Sequence, residues 1–345
     1  MKKTILSLAV ITATIFASCS KDSDVATGSM PSTVDPAGGS VISLTLTGDP
    51  TSQISASRAD SDTVLAEEWE SELSTLTIFA FDNSDNLLVR RDLSDTEVSS
   101  KAVSFALPKS AASTSCTFYA VANIDTSSAT SKSTLLGLID GDASDYNASY
   151  SAVTGGAMRD DGFVMSGSTT MDVGAENTTT KVGITIKRTV AKVALELSTS
   201  DSFKASYPTA TLTYKSATIS KAATQSPIIS SALSTGAMTY THTQSNATPN
   251  YLFYIYENGD LASGSRVMLE VVTMFDADGS TSTTADQSEV TYSIELSGDG
   301  AGAISRNGFY NVVATINGLV GQDCDVTVAV ADWETPVTQS VNLGM

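Results

Sequence analysis

The chain has 345 residues, 41% of them hydrophobic and 17% charged, with a formal net charge of −19. That acidity repels nucleic acid and anionic membrane surfaces, so neither is expected as a main partner. The apolar content excludes a disordered chain, the length accommodates two domains, and sparse charge with abundant Ser and Thr suits an extracellular β-protein.

In chain order, the first expectation is a secretory signal. Lys2 and Lys3 precede an apolar run over residues 5–17, and the small residues Ala17 and Ser18 lead to Cys19. The run is well short of the roughly 20 residues a spanning helix needs, so it reads as a removed signal over residues 1–18. The stretch Phe16-Ala17-Ser18-Cys19 resembles a bacterial lipobox, with Phe16 where Leu is usual. That resemblance makes Cys19 the lipidation site, and its acyl chains would tether the precursor to a membrane. Ser20-Lys21-Asp22-Ser23-Asp24 is similar to the export signals of surface lipoproteins in Bacteroidetes-type bacteria, and it also reads as a solvated tether. Residues 22–39 continue as a flexible polar stretch.

Residues 41–47 alternate sharply. Ile42, Leu44 and Leu46 share one face, and Val41, Ser43, Thr45 and Thr47 the other, which predicts a half-buried strand. A polar loop over residues 48–62 contains Arg58-Ala59. Residues 76–81 are continuously apolar and predict a strand buried on both faces, closed by the turn composition of residues 82–86. Further strands are expected around Val103, Phe105 and Leu107, over residues 117–122, around Val182, Ile184 and Ile186, and over residues 190–197. Residues 133–139 suggest a short helix weakened by Gly137, and residues 140–161 read as a long polar stretch. The second half repeats the style over residues 251–256, 267–275, 290–296, 310–319 and 326–333. Short strands between turn signals predict an all-β chain of two β-sandwich domains in tandem, transthyretin-like or Greek-key, with minor helix. The expected boundaries are a propeptide over residues 19–58 and domains over residues 59–188 and 189–345.

Catalytic chemistry finds few residues. The single histidine, His242, reads as part of a Ser/Thr-rich loop with no nucleophile-elbow pattern, and no phosphate loop or dinucleotide fingerprint occurs. Asp276-Ala277-Asp278-Gly279 reads as a hairpin turn rather than a calcium loop, whose later ligands are missing. Glu67, Glu68, Glu70 and Glu72 around Trp69 read as a solvated face. No enzyme, cofactor or metal is expected. Cys116 and Cys324 read as two separate buried thiols, with a disulfide as the alternative. Tyr251, Tyr254 and Tyr256 fill a core or, in a carbohydrate-binding alternative, form a sugar-stacking platform.

Several segments together resemble the fimbrillins, the lipoprotein-derived subunits of Bacteroidetes-type (type V) pili. They include the lipobox at Cys19, residues 41–47, Ser57-Arg58-Ala59, Leu76-Thr77-Ile78-Phe79-Ala80-Phe81-Asp82, Phe118-Tyr119-Ala120-Val121-Ala122-Asn123, Lys187-Arg188-Thr189-Val190, Arg306-Asn307-Gly308-Phe309-Tyr310 and Val330-Ala331-Asp332-Trp333. The resemblance implies an outer-membrane lipoprotein precursor cut between Arg58 and Ala59 by a trypsin-like, arginine-specific protease. Release of the strand bearing Ile42, Leu44 and Leu46 would open an apolar groove, and a strand from another copy or a related subunit would fill it, building an extracellular fimbria. The candidate donor is residues 337–343, with Val337, Val341 and Leu343 on one face and Gln339 breaking the row. Arg90-Arg91 lies beside strands and should be a poorer cleavage site. A monomeric adhesive lipoprotein, or a tip or anchor subunit, is the alternative.

Overall fold

Strands follow from the period-2 patterning, and two sets of sheets result. The computed structural model describes residues 39–48, 67–229, 238–280, 282–319, 331–332 and 338–343. Cys19, Arg58, Ala59, Cys324 and Val337 lie outside these residues.

The first set uses β1 (Val41–Gly48), β2 (Leu76–Asp82), β3 (Leu87–Asp92), β4 (Ala102–Ala106), β5 (Ser115–Ala122), β7 (Met165–Asp172) and β8 (Thr179–Arg188). A two-residue strand, β6 (Ile139–Asp140), lies apart from them. The seven strands follow the order β3-β2-β5-β7-β8-β1-β4. The ribbon is joined between β7 and β8 by only two residue pairs, Met165 with Arg188 and Ser166 with Lys187. This weak seam lets β8, β1 and β4 face β2 and β5 in the manner of a sandwich. Ile42, Leu44, Val103, Phe105, Val182 and Ile184 share one core with Ile78, Ala80, Phe118 and Ala120.

The continuous apolar run of β2 is buried on both faces, as its composition predicts. Leu76, Ile78 and Ala80 enter the main core, while Phe79 and Phe81 enter a second cluster with Tyr119, Val121, Leu135, Ile228 and Ile229. Leu135 comes from a short helix, Lys132–Leu136, which ends with Gly137 at its C-cap.

The second set comprises β9 (Val190–Thr199), β10 (Thr211–Ala222), β11 (Ser226–Pro227), β12 (Tyr240–Ser245), β13 (Asn250–Tyr256), β14 (Met268–Asp276), β15 (Gln287–Glu295), β16 (Gly308–Ile316), β17 (Ala331–Asp332) and β18 (Thr338–Leu343). One sheet runs β12-β10-β14-β15; the other runs β13-β9-β16-β17, with β18 parallel to β16. The protein is therefore all-β, with sandwich-type sheets and minor helix. Only Thr189 separates β8 from β9, and it is buried. Both sets belong to one compact unit, Asp35–Met345.

Polar side chains gather where the two sets meet. Glu70 is wholly buried; its carboxylate pairs with the Lys192 ammonium at 2.7 Å and accepts from the Tyr254 hydroxyl at 2.5 Å and the Glu67 amide at 2.9 Å. The expectation of a solvated acidic face thus fails at Glu70, although Glu67, Glu68 and Glu72 are exposed. The physical reason is that a 3-10 turn, Glu68–Ser71, directs this one carboxylate inward, where a cation and a phenol satisfy it. The long polar stretch over residues 140–161 is also partly buried, at Asp140, Ala143, Tyr146, Asn147 and Val153. Asp140 accepts from Tyr146 and Thr189 at 2.5 and 2.6 Å, and Asn147 is held between the Tyr254 amide and carbonyl at 2.9 and 2.7 Å.

Candidate functional site

The residues that bear on strand removal lie around β1. Its eight residues pair in parallel with β8, from Val41 with Thr179 to Gly48 with Ile186. On its other edge, residues 41–45 pair antiparallel with β4, where Leu44 faces Val103. The strand is thus bonded on both sides. Ile42, Leu44 and Leu46 are 0%, 1% and 4% exposed, whereas Val41, Thr45 and Thr47 face solvent. Burying each of the three contributes roughly 1.5–3 kcal/mol. Removing β1 would leave two unpaired edges flanking an apolar slot, and such edges recruit another strand.

The upstream end of β1 is more closely fitted than its middle. Ser40 is wholly buried, and its hydroxyl donates to the carbonyls of Gly174 and Ala175 at 2.9 and 3.1 Å. The Leu107 amide donates to the Ser40 carbonyl, and the Val41 amide to the Thr178 carbonyl, both at 2.9 Å. A Cβ added at Gly39 would fall inside the contact radius of the Leu107 carbonyl oxygen, so the backbones approach closely only because Gly39 lacks one. Sequence reasoning missed this end. The adjacent Gly38-Gly39-Ser40 was its only signal, and the composition looked like a tether.

The other candidates are dispersed. Val341 and Leu343 lie in β18, whose ladder to β16 runs from Thr338 with Asn311 to Leu343 with Ile316. Arg90 pairs with Asp92 at 2.8 Å and Arg91 with Glu97 at 2.5 Å, on β3. His242 lies on β12 rather than in a loop, because its segment pairs with β10 opposite Ile219, and its Nε2 is 3.1 Å from the Ala148 carbonyl. Cys116 is a buried free thiol, and burial pushes its pKa up.

Tyr251, Tyr254 and Tyr256 are 1%, 1% and 0% exposed, so no sugar can stack on them. The platform alternative fails because β13 is covered on both faces. Tyr254 meets Trp69 and Phe163 at ring distances of 6.4 and 4.9 Å, and Tyr256 meets Tyr146 at 5.9 Å. Burial raises the Tyr251 phenol to about 12 and pushes Tyr254 and Tyr256 well above the ordinary tyrosine value.

Among the described residues, Asp276, Asp278 and Asp286 form the one cluster of three acids close enough to share a cation. Most of their oxygens are engaged within the hairpin: Asp276 accepts from Gly279 and Gln287, Asp278 from Ser280 and Thr283, and Asp286 through Oδ2 from the Asp278 amide, while the buried Asp286 Oδ1 meets no donor. The turn reading accounts for all of these oxygens that have a partner.

Residues 51–338 match the family described as fimbrillin-A associated anchor proteins Mfa1 and Mfa2. No curated protein matches the chain. Among solved structures, the tip fimbrial protein Mfa3 of Porphyromonas gingivalis, truncated at its C-terminus, is similar with a TM-score of 0.52 at 13% identity, over 85% of this chain and 100% of that one. A fimbrilin (fimA) from Porphyromonas gingivalis is similar with a TM-score of 0.51 at 16% identity, over 89% and 98% of the two chains. At these identities the likeness speaks to the fold.

Proposed function

The chain belongs to the family of fimbrillin-A associated anchor proteins, and on that footing we propose that it is a structural subunit of a cell-surface fimbria in which β1 is a temporary occupant of its sheet. The precursor is lipidated at Cys19 and reaches the outer membrane surface. An arginine-specific protease cuts between Arg58 and Ala59, in the segment between β1 and β2. Loss of β1 exposes the slot between β8 and β4, and a strand from another fimbrial subunit enters it. The mature form then resides in extracellular fimbriae and acts through assembly rather than catalysis.

The observation that carries this reading is the seat of β1. A strand that is first in the described sequence lies inside a sheet, bonded on both edges, with Ile42, Leu44 and Leu46 plugging the core. Such a strand can be excised without severing any other strand from its chain, and a new strand regains the same main-chain bonds. The test is N-terminal sequencing, with intact mass, of the protein in fibres sheared from the cell surface. The expected start is Ala59, and retention of residues 41–47 in polymerised protein would overturn the exchange.

A second reading is an anchor subunit that keeps its lipid and β1. The family match favours it. The same sequencing separates the two, because an anchor would retain Cys19 and remain with the membrane fraction.

A further inference from the structure

We infer that the slot between β8 and β4 selects its strand at one end, through a keyhole cut for Gly39 and Ser40, and that the strand able to refill it comes from a subunit carrying Gly followed by Ser or Thr ahead of alternating branched apolar residues. The inference rests on the exchange reading only for the source of that strand; the keyhole itself is a property of the intact chain.

Three features define the keyhole. The Leu107 carbonyl oxygen lies where any Cβ at position 39 would project. The Ser40 hydroxyl reaches two carbonyls of the turn before β8, and no part of this side chain is exposed. The amide of residue 41 then bonds Thr178, which begins the parallel ladder. Beyond that point the slot asks only for apolar side chains at positions 42, 44 and 46.

The candidate donor of a second copy, residues 337–343, fits this keyhole in no register. With Val341 in the place of Ile42, Thr338 stands at position 39 and Gln339 in the closed site of Ser40. With Leu343 there, Ser340 stands at position 39 and Val341 replaces the buried hydroxyl. With Val337 there, Glu334 stands at position 39, Gln339 faces the core in place of Leu44, and Pro336 lacks the amide hydrogen that Val41 gives to Thr178. Gly344 at position 39 would put Met345 into the Ser40 site. The C-terminal strand lies instead on β16, in a six-pair parallel ladder. A partner with different strand chemistry is therefore needed to complete this subunit.

Two variants of the full chain test the keyhole separately from the apolar face. The first carries Gly39→Thr and Ser40→Gln, the residues a Val341-centred donor would bring. The second keeps Gly39 and Ser40 and carries Val41→Ser, Ile42→Val, Ser43→Asn, Thr45→Gly and Leu46→Met, the rest of that donor. Thermolysin cleavage, mapped by mass spectrometry, reports the seating of β1 through cuts within residues 41–47, while cuts in β14 and β16 report global unfolding. The first variant should be cut in β1 at least about tenfold faster than the parent, because overpacking and the lost hydroxyl bond act together at one buried point. The second should be cut no more than about tenfold faster than the parent, the cost of Ile42→Val and of a glycine within a strand, and more slowly than the first. If the second variant releases β1 and the first does not, the keyhole is refuted. Should the first variant unfold throughout, Gly39→Ala decides: parent-like protection of β1 in it would also refute the keyhole. Retention of β1 in native fibres would overturn the exchange reading and leave these outcomes unchanged.

Discussion

Truncating Leu44 to Ala tests whether β1 opens independently of the rest of the fold. Leu44 is 1% exposed and stands between Val103 of β4 and Val182 of β8 in the two ladders. A buried Leu→Ala change costs about 2–5 kcal/mol, the spread reflecting how far the cavity closes. The slot has a rigid sheet on each side, so collapse is limited and a value near 3 kcal/mol is expected. If β1 detaches locally, the whole of this cost falls on its opening equilibrium, and each 1.4 kcal/mol is about a factor of ten. Amides of residues 41–47 should then exchange with deuterium on the order of a hundredfold faster than in the parent. The comparison variant is Leu269→Ala, a wholly buried residue of β14 in the second set of sheets. It should speed exchange around β14 and leave β1 nearly unchanged. If Leu269→Ala speeds β1 as much as Leu44→Ala does, β1 leaves only when the entire chain unfolds, and the case for a separately removable strand is lost.

The junction gives a second expectation. Glu70→Ala removes the carboxylate that Lys192, Tyr254 and the Glu67 amide share, and should lower urea unfolding stability by about 3–5 kcal/mol. Asn147→Ala loses its bonds to the Tyr254 amide and carbonyl and to the Tyr240 hydroxyl, and should cost about 2–4 kcal/mol in the same assay. Alkaline stability follows from the buried phenols. Tyr240 and Tyr251 are raised from 10.0 to about 12 by burial, so between these values the unfolded chain gives up protons that the folded chain keeps. Their contribution is complete below about pH 10 and is lost as pH rises toward 12, and phenolate absorbance should appear together with loss of circular dichroism. A titration that ionises every tyrosine near pH 10 in the folded protein would contradict the burial of β13. Iodoacetamide should alkylate Cys116 only on unfolding, since its buried thiol holds its proton more tightly than usual.

The strands were legible because side-chain parity is written directly in the order of residues. Ile42, Leu44 and Leu46 needed only a period of two, and the uninterrupted run from Leu76 to Phe81 announced burial on both faces. The turn after β2 was equally local. Asp82 accepts from the Ser84 and Asn86 amides, and its carboxyl is held below the usual range by the Asn86 side chain and amide. Glu70 was illegible for the opposite reason. Its cation and its phenol stand 122 and 184 residues further along the chain, so its letter is that of any solvated acid. Asp140 and Asn147 were hidden in the same way inside a polar stretch. Tyr254 and Tyr256 offered a stronger hint: a run as apolar as β2 required a second cover, which the junction supplies.

What makes β1 consequential is how little else holds β8. Apart from β1, β8 has only the two residue pairs to β7 at its far end. Beyond that seam, Gly167 lets the Thr185 carbonyl pass closer than any Cβ would allow, and the ladder stops. Excision of β1 therefore strips β8 of nearly its whole ladder while Val182, Ile184 and Ile186 still belong to the core. The strand remains fixed at its end by Arg188, whose guanidinium donates to the Glu70 carbonyl at 2.6 Å, the Ser71 hydroxyl at 2.9 Å and the Asn307 side chain at 2.8 Å. Under the proposed exchange, one anchored end and one unsatisfied edge would hold β8 ready for a partner strand. The anchor sets where the β8 wall begins, and the open edge supplies the hydrogen-bonding groups that an arriving strand must satisfy.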